Sequence, residues 1–173
     1  MKRGLVYFII GLLAGIPLYY LLTPFILSPS ATPVFSPEDD GHAIIGLIDG
    51  ARSSIDVEMY VMTSQEVMDA LERARARGVT VHVILERNVM DHQNDAAYSE
   101  LAGNGIAVRY ASRAFDLTHS KFMIIDGNVV LVGSINFSNA ALHKNREAAV
   151  VLRDPASVSR FLSVFEHDWN MAS

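Results

Sequence analysis

Two apolar runs of strand length, residues 122–125 and 129–132, are split by Asp126-Gly127-Asn128, so the chain must double back there. Ile and Val dominate both runs, and Asp-Gly and Gly-Asn readily adopt the left-handed turn conformations that join antiparallel strands. Side chains alternate along a strand, which puts His119 and Lys121, leading into the first run, on a shared face. With Asp126-Gly127 at the centre of the turn, Ser134 falls opposite His119. With Gly127-Asn128 there, Asn136 falls opposite His119 and Ser134 opposite Lys121. Both registers predict that an imidazole, an ammonium, a hydroxyl and an amide meet at one end of a hairpin.

Such a set handles phosphate. A neutral imidazole near its own pKa can attack phosphorus, while an ammonium and neutral donors stabilise charge building on the phosphoryl oxygens. This chemistry calls for no metal and no cofactor. The other histidines, His42, His82, His92, His143 and His167, form no spacing suited to a metal site. His143 differs only in that residues 143–146 approach the motif along the chain.

The run His119-x-Lys121-x4-Asp126-x6-Gly133-Ser134-x-Asn136 resembles the signature of the phospholipase D superfamily, with no departure in residue type or spacing. The resemblance extends from about Val34 to Trp169, and it is to the small bacterial endonucleases of the superfamily that carry one motif per chain. It implies a phosphodiester hydrolase in which His119 forms a phosphohistidine, a second histidine protonates the leaving oxygen, and water releases the product. Because this chain carries one motif, the resemblance implies a homodimer with one His119 from each chain. It further implies that Glu147 accepts a hydrogen bond from the imidazole, that Lys121 and Asn136 hold the phosphate, and that Ser134 supports them. Asp126, at the turn, is expected to organise the hairpin.

Around the motif the pattern alternates: helix 41–51, strand 55–62, amphipathic helix 65–77 ended by Gly78, strand 79–85, helix 91–102 and strand 106–110. After the hairpin come a short helix near Asn139, a strand 147–152 and a helix 156–169. This alternation predicts an α/β sandwich with a mixed sheet covered by helices on both faces, as in the phospholipase D-like fold. Residues 41–173 suit one such domain.

Before it, residues 5–27 form an uncharged apolar stretch long enough to cross a hydrocarbon core of about 30 Å as a helix, so residues 1–27 read as a membrane anchor or signal segment. Its length favours a retained anchor over a cleaved signal. Lys2 and Arg3 precede it and Glu38, Asp39 and Asp40 follow, which predicts an extracytoplasmic domain, periplasmic or extracellular. Secretion after cleavage is the alternative. Residues 28–40 begin with three prolines and three serines over 28–37, and they read as a stiff linker. The chain has no cysteine and hence no disulfide.

Without Lys2 and Arg3, twelve basic residues face nineteen acidic ones, a net charge of −7 that runs against the basic surface nucleic-acid binding usually uses. The cations nevertheless gather at the motif, as Arg109, Arg113, Lys121, Lys144 and Arg146. Arg113, Phe115, Lys144 and Arg146 are therefore candidate substrate contacts, with Phe115 available for base stacking. An endonuclease acting on DNA or RNA is the first expectation and a phospholipase D acting on lipid headgroups the second. A non-catalytic module binding nucleic acid or anionic lipid is the third.

Overall fold

A seven-stranded sheet organises the molecule. The structure is a computed structural model that describes Tyr7 and residues 30–173. Apart from Tyr7, the expected anchor, residues 5–27, lies outside the described residues. No helix among the described residues is long and apolar enough to cross a membrane.

Strands β2 (Ser54–Met59), β3 (Thr80–Leu85) and β4 (Ala107–Tyr110) run parallel, connected by helices α2 (Gln65–Ala76) and α3 (Asn94–Gly103). Crossovers of this kind are what parallel neighbours require. On the other side of β2 lies β5 (Lys121–Ile125), antiparallel to it, followed by β6 (Val129–Gly133) and β7 (Glu147–Leu152) in antiparallel order. The sheet is therefore mixed, as the alternating pattern predicted.

Period-two alternation divides the core. Val57, Met59, Met123 and Leu131 face one side, where they meet Ile44 and Ile48 of helix α1 (His42–Gly50) and Leu71 and Leu101 of the crossover helices. Phe122, Ile124 and Val130 face the other, where they meet Val158 and Phe165 of α5 (Pro155–Met171). Each such side chain taken from water stabilises by about 1.5–3 kcal/mol. Asp154 begins α5 by accepting the Ser157 N–H at 2.9 Å, with Pro155 in the first turn. A short helix, α4 (Asn139–His143), precedes β7.

Two expected elements differ. Residues 31–36, read as linker, form β1 (Ala31–Ser36), paired antiparallel with β7 from Ala31↔Leu152 to Ser36↔Glu147. Proline is compatible with this place because β1 is the outer strand, where a missing N–H breaks no ladder on the solvent side. The strand read as 55–62 stops at Met59. Beyond it the buried Asn94 side chain accepts the Met62 N–H at 2.9 Å and donates to the Tyr60 and Glu86 carbonyls at 2.8 and 2.9 Å. These bonds replace the ladder and fold residues 60–62 into a fixed loop beside the hairpin.

Candidate active site

The motif hairpin lies mid-sheet, with β5 between β2 and β6. Three residues form its turn: Ile125 pairs with Val129 and Phe122 with Val132, a register between the two that the sequence allows. Asp126 and Gly127 both have positive φ, 52° and 64°, and the Asn128 N–H closes the turn on the Ile125 carbonyl at 3.0 Å. The Asp126 carboxylate points to the α1–β2 connection, where it accepts the N–H groups of Arg52, Ser53 and Ser54 at 2.7–3.1 Å and the Ser53 hydroxyl at 2.9 Å. Burial alone would raise its pKa, but the donors from Ser53, Ser54 and Arg52 outweigh that and hold it below the usual carboxylate range. Asp126 thus organises the hairpin.

At the other end, Lys121 opens β5 and is 9% exposed, while His119 is exposed. Three contacts fix the segment carrying them. The Thr118 N–H donates to Glu86 Oε2 at 2.7 Å, the Tyr60 N–H donates to the Ser120 carbonyl at 3.0 Å, and Met59 pairs with Lys121. Lys121 Nζ donates to the His119 carbonyl at 2.9 Å and lies 3.2 and 3.3 Å from the two ring nitrogens. The Tyr60 ring backs both groups, its centroid 4.3 Å from the imidazole and 5.0 Å from Nζ. Burial lowers the Lys121 pKa, with the charge of Glu147 acting in the opposite direction. An exposed imidazole and a partly desolvated cation therefore stand side by side.

The second strand of the hairpin serves this pair less directly than the sequence suggested. Ser134 continues the pairing with β7: its N–H donates to the Ala148 carbonyl at 2.8 Å and its hydroxyl to Glu147 Oε2 at 2.5 Å. Glu147 also takes the Asn145 amide at 3.5 Å. The expected His119–Glu147 hydrogen bond is therefore not formed within one chain, because the β6–β7 register directs Ser134 onto the carboxylate. Gly133 explains itself, since a Cβ there would collide with the Ala148 carbonyl and with Ala149 of β7. Asn136 is held between the buried Ile135 and Phe137, and its side-chain oxygen is buried without a partner among the described residues. The fold leaves this amide uncommitted.

Of the candidate substrate contacts, Phe115 is half-exposed and lines a cavity of about 210 Å³ with Glu58, Leu117, His119, Ser120 and Asp168. Arg113 and Lys144 are exposed. Arg146 is instead paired with Glu38 at 2.6 Å, and Arg109 donates to the Trp169 carbonyl at 2.7 Å while covering its ring. His143 turns to Asp40 at 2.6 Å and Glu66 at 3.5 Å, away from the motif. The sequence missed Tyr60, Arg160 and Phe161. Arg160 and Phe161, on α5, line a second cavity of about 410 Å³ with His119, Lys121, Phe122 and Val132. Their helix reads only as amphipathic in the sequence. A hint of Glu58 existed, because it interrupts an apolar strand.

Residues 44–169 match the family described as cardiolipin synthase, PLD-like domain. The chain is 30% identical over 143 residues to mitochondrial cardiolipin hydrolase of Mus musculus, a match covering 82% of this chain and 64% of the relative. With phospholipase D of Rickettsia bellii it shares 31% identity over 144 residues, covering 83% and 71% respectively. Nuc from Salmonella typhimurium, a phospholipase D family member, superposes with a TM-score of 0.77 and 34% identity, over 84% of this chain and 97% of Nuc. The chain thus spans 46–64% of the length of the mitochondrial cardiolipin hydrolases it matches, against nearly all of Nuc. A motif hairpin that brings His119 onto Lys121, on a mixed sheet matched over most of its length, makes this chain a member of the phospholipase D superfamily.

Proposed function

We propose that the protein is a phosphodiesterase that works through a phosphohistidine on His119, and that its substrate is a nucleic acid. The observation that carries the reading is the His119–Lys121 pair, in which an exposed imidazole stands 3.2 Å from a cation held in a mostly buried position. A neutral imidazole keeps one ring nitrogen without a proton, and it is that nitrogen that attacks phosphorus. In the first step that nitrogen forms a bond to phosphorus, the bond to the leaving oxygen breaks, and a second histidine gives that oxygen its proton. In the second step the same histidine takes a proton from water, whose oxygen displaces His119. Lys121 and the uncommitted Asn136 amide balance the charge on the phosphoryl oxygens throughout.

The second histidine is assigned to a second copy of this chain, since one chain carries one motif. A soluble form beginning at residue 31 is expected to be dimeric by light scattering; an active monomer would contradict the shared site. Support for a nucleic-acid substrate comes from size, because the matched region is nearly co-extensive with Nuc and leaves no large insertion for lipid chains. Residues 5–27 are proposed to hold the domain at a membrane on its extracytoplasmic side. Cell fractionation with externally added protease tests that placement, and an anchored domain shielded from the protease would refute it.

A phospholipid substrate is the second reading, and the cavity of about 410 Å³ favours it: Phe122, Val132 and Phe161 give it an apolar wall beside His119, and Arg160 adds a cation. Labelled single-stranded DNA and anionic phospholipid vesicles, each in EDTA with a His119→Ala control, separate the two. Cleavage of DNA by the wild type alone is expected. Hydrolysis of lipid with DNA left intact would replace the first reading by the second. Activity lost in EDTA and restored by magnesium would overturn the assignment of charge stabilisation to Lys121.

A further inference from the structure

Along β2, Ile55, Val57 and Met59 enter the larger core, which turns Asp56 and Glu58 toward α5. Asp56 finds His82 there at 2.9 Å. Glu58 is 1% exposed, and its Oε2 has no hydrogen-bond donor among the described residues. The Asp168 carboxyl, near the end of α5, and the Ser120 hydroxyl are polar groups that line the cavity beside it. Glu58, Asp168, Ser120 and His119 all line the same small cavity. A buried carboxylate oxygen that faces another carboxylate and no donor leaves an uncompensated charge, whereas one proton between the two carboxyls satisfies both.

We propose that Glu58 and Asp168 share a proton, and that this protonated pair positions the nucleophile by clamping the end of α5 to Ser120 and so fixing the direction of the adjoining His119. The role rests on the reading of His119 as nucleophile. Burial, opposed by Ser120 and reinforced by Asp168, pushes Glu58 up to about 7, so the clamp gives up its proton in the neutral range. The groups facing it are Asp168 from α5 and His119 from the loop, while β3 and β5 present Ile84 and Phe122. Asp56, His82 and Glu166 form a separate ionisable group along the same face of the sheet. Glu58 touches no substrate in this account. It acts through Ser120 and His119.

Carboxyl carbon resonances of glutamate-labelled protein, followed with histidine ring resonances from pH 5 to 9, test the proposal without turnover. One glutamate titrating near neutrality is expected, absent in Glu58→Gln, shifted toward the usual carboxylate range in Asp168→Asn, and tracked by the His119 ring in the wild type only. Activity adds a second readout: the ratio of Glu58→Gln to wild-type rate should rise about tenfold from pH 6 to pH 8, because the amide cannot lose the proton that the acid does. Glu58 titrating in the ordinary carboxylate range would overturn the shared proton. A neutral titration with a His119 ring that ignores it, or a flat rate ratio, would overturn the positioning role. Should Glu58→Gln fail to fold, the wild-type and Asp168→Asn titrations decide. If no variant cleaves any phosphodiester, the phosphodiesterase reading fails while the resonances still judge the clamp.

Discussion

Lys121 shows how one residue is made useful by where it stands. Its Nζ is desolvated at the head of a central strand, tied to the His119 carbonyl and backed by Tyr60, so its charge is fixed before any substrate arrives. Lys121→Ala should reduce the rate by about 10²–10³-fold at saturating substrate with little change in the melting temperature, measured together by steady-state kinetics and thermal melts. Asp126 is the reverse case. Its carboxylate binds backbone donors and no part of the site, so Asp126→Ala should cost about 1–2 kcal/mol in denaturant unfolding and leave kcat close to wild type. The placement of His119 beside Lys121 at one end of the hairpin and of Asp126 at its turn was legible in the sequence because residue type and spacing carry it. The attachment of Glu147 was not, since it depends on the β6–β7 register, which no turn between those strands sets in the sequence.

At the scale of elements, the loop after β2 does as much for the site as the motif strand. Asn94, the first residue of α3, binds Met62, Tyr60 and Glu86, and Tyr60 in turn backs His119. Replacing Asn94 by Ala leaves one buried N–H and two carbonyls without partners; a loss of about 2–4 kcal/mol by chemical denaturation and a clear fall in kcat are expected. Strand and helix types were readable from periodicity in the chain, since Val83 and Ile84, or Phe122 and Met123, alternate between two cores as their spacing implies. β1 was not readable. It lies within the proline- and serine-rich residues 28–37, which look like a linker, and only the open edge of β7 makes a strand of it. The pairing of Arg146 was not readable either, because nothing local reveals that Glu38 waits on the neighbouring segment.

For the whole molecule, the titrating groups predict an optimum of stability on the acidic side of neutral. Asp126 and Asp154 have lowered values, so what they contribute is present above the ordinary carboxylate range and is lost as pH falls through their folded values. Glu58 and Asp56 are raised, mainly by burial, so the fold is favoured while they keep their protons, and stability declines as pH rises toward the value of about 7 for Glu58. Thermal melts across pH 3 to 9 should peak between those limits, and Glu58→Gln should flatten the decline toward neutral pH. A curve still rising through pH 7 in the wild type would contradict the buried acid.

The account stands on a covalent phosphohistidine, and the stereochemistry at phosphorus tests that most directly. A phosphorothioate diester of defined configuration, hydrolysed in isotopically labelled water, reports the number of in-line displacements. Two displacements, the first by His119 and the second by water, predict net retention. Net inversion would mean that water attacks phosphorus directly, and His119 would then be at most a base.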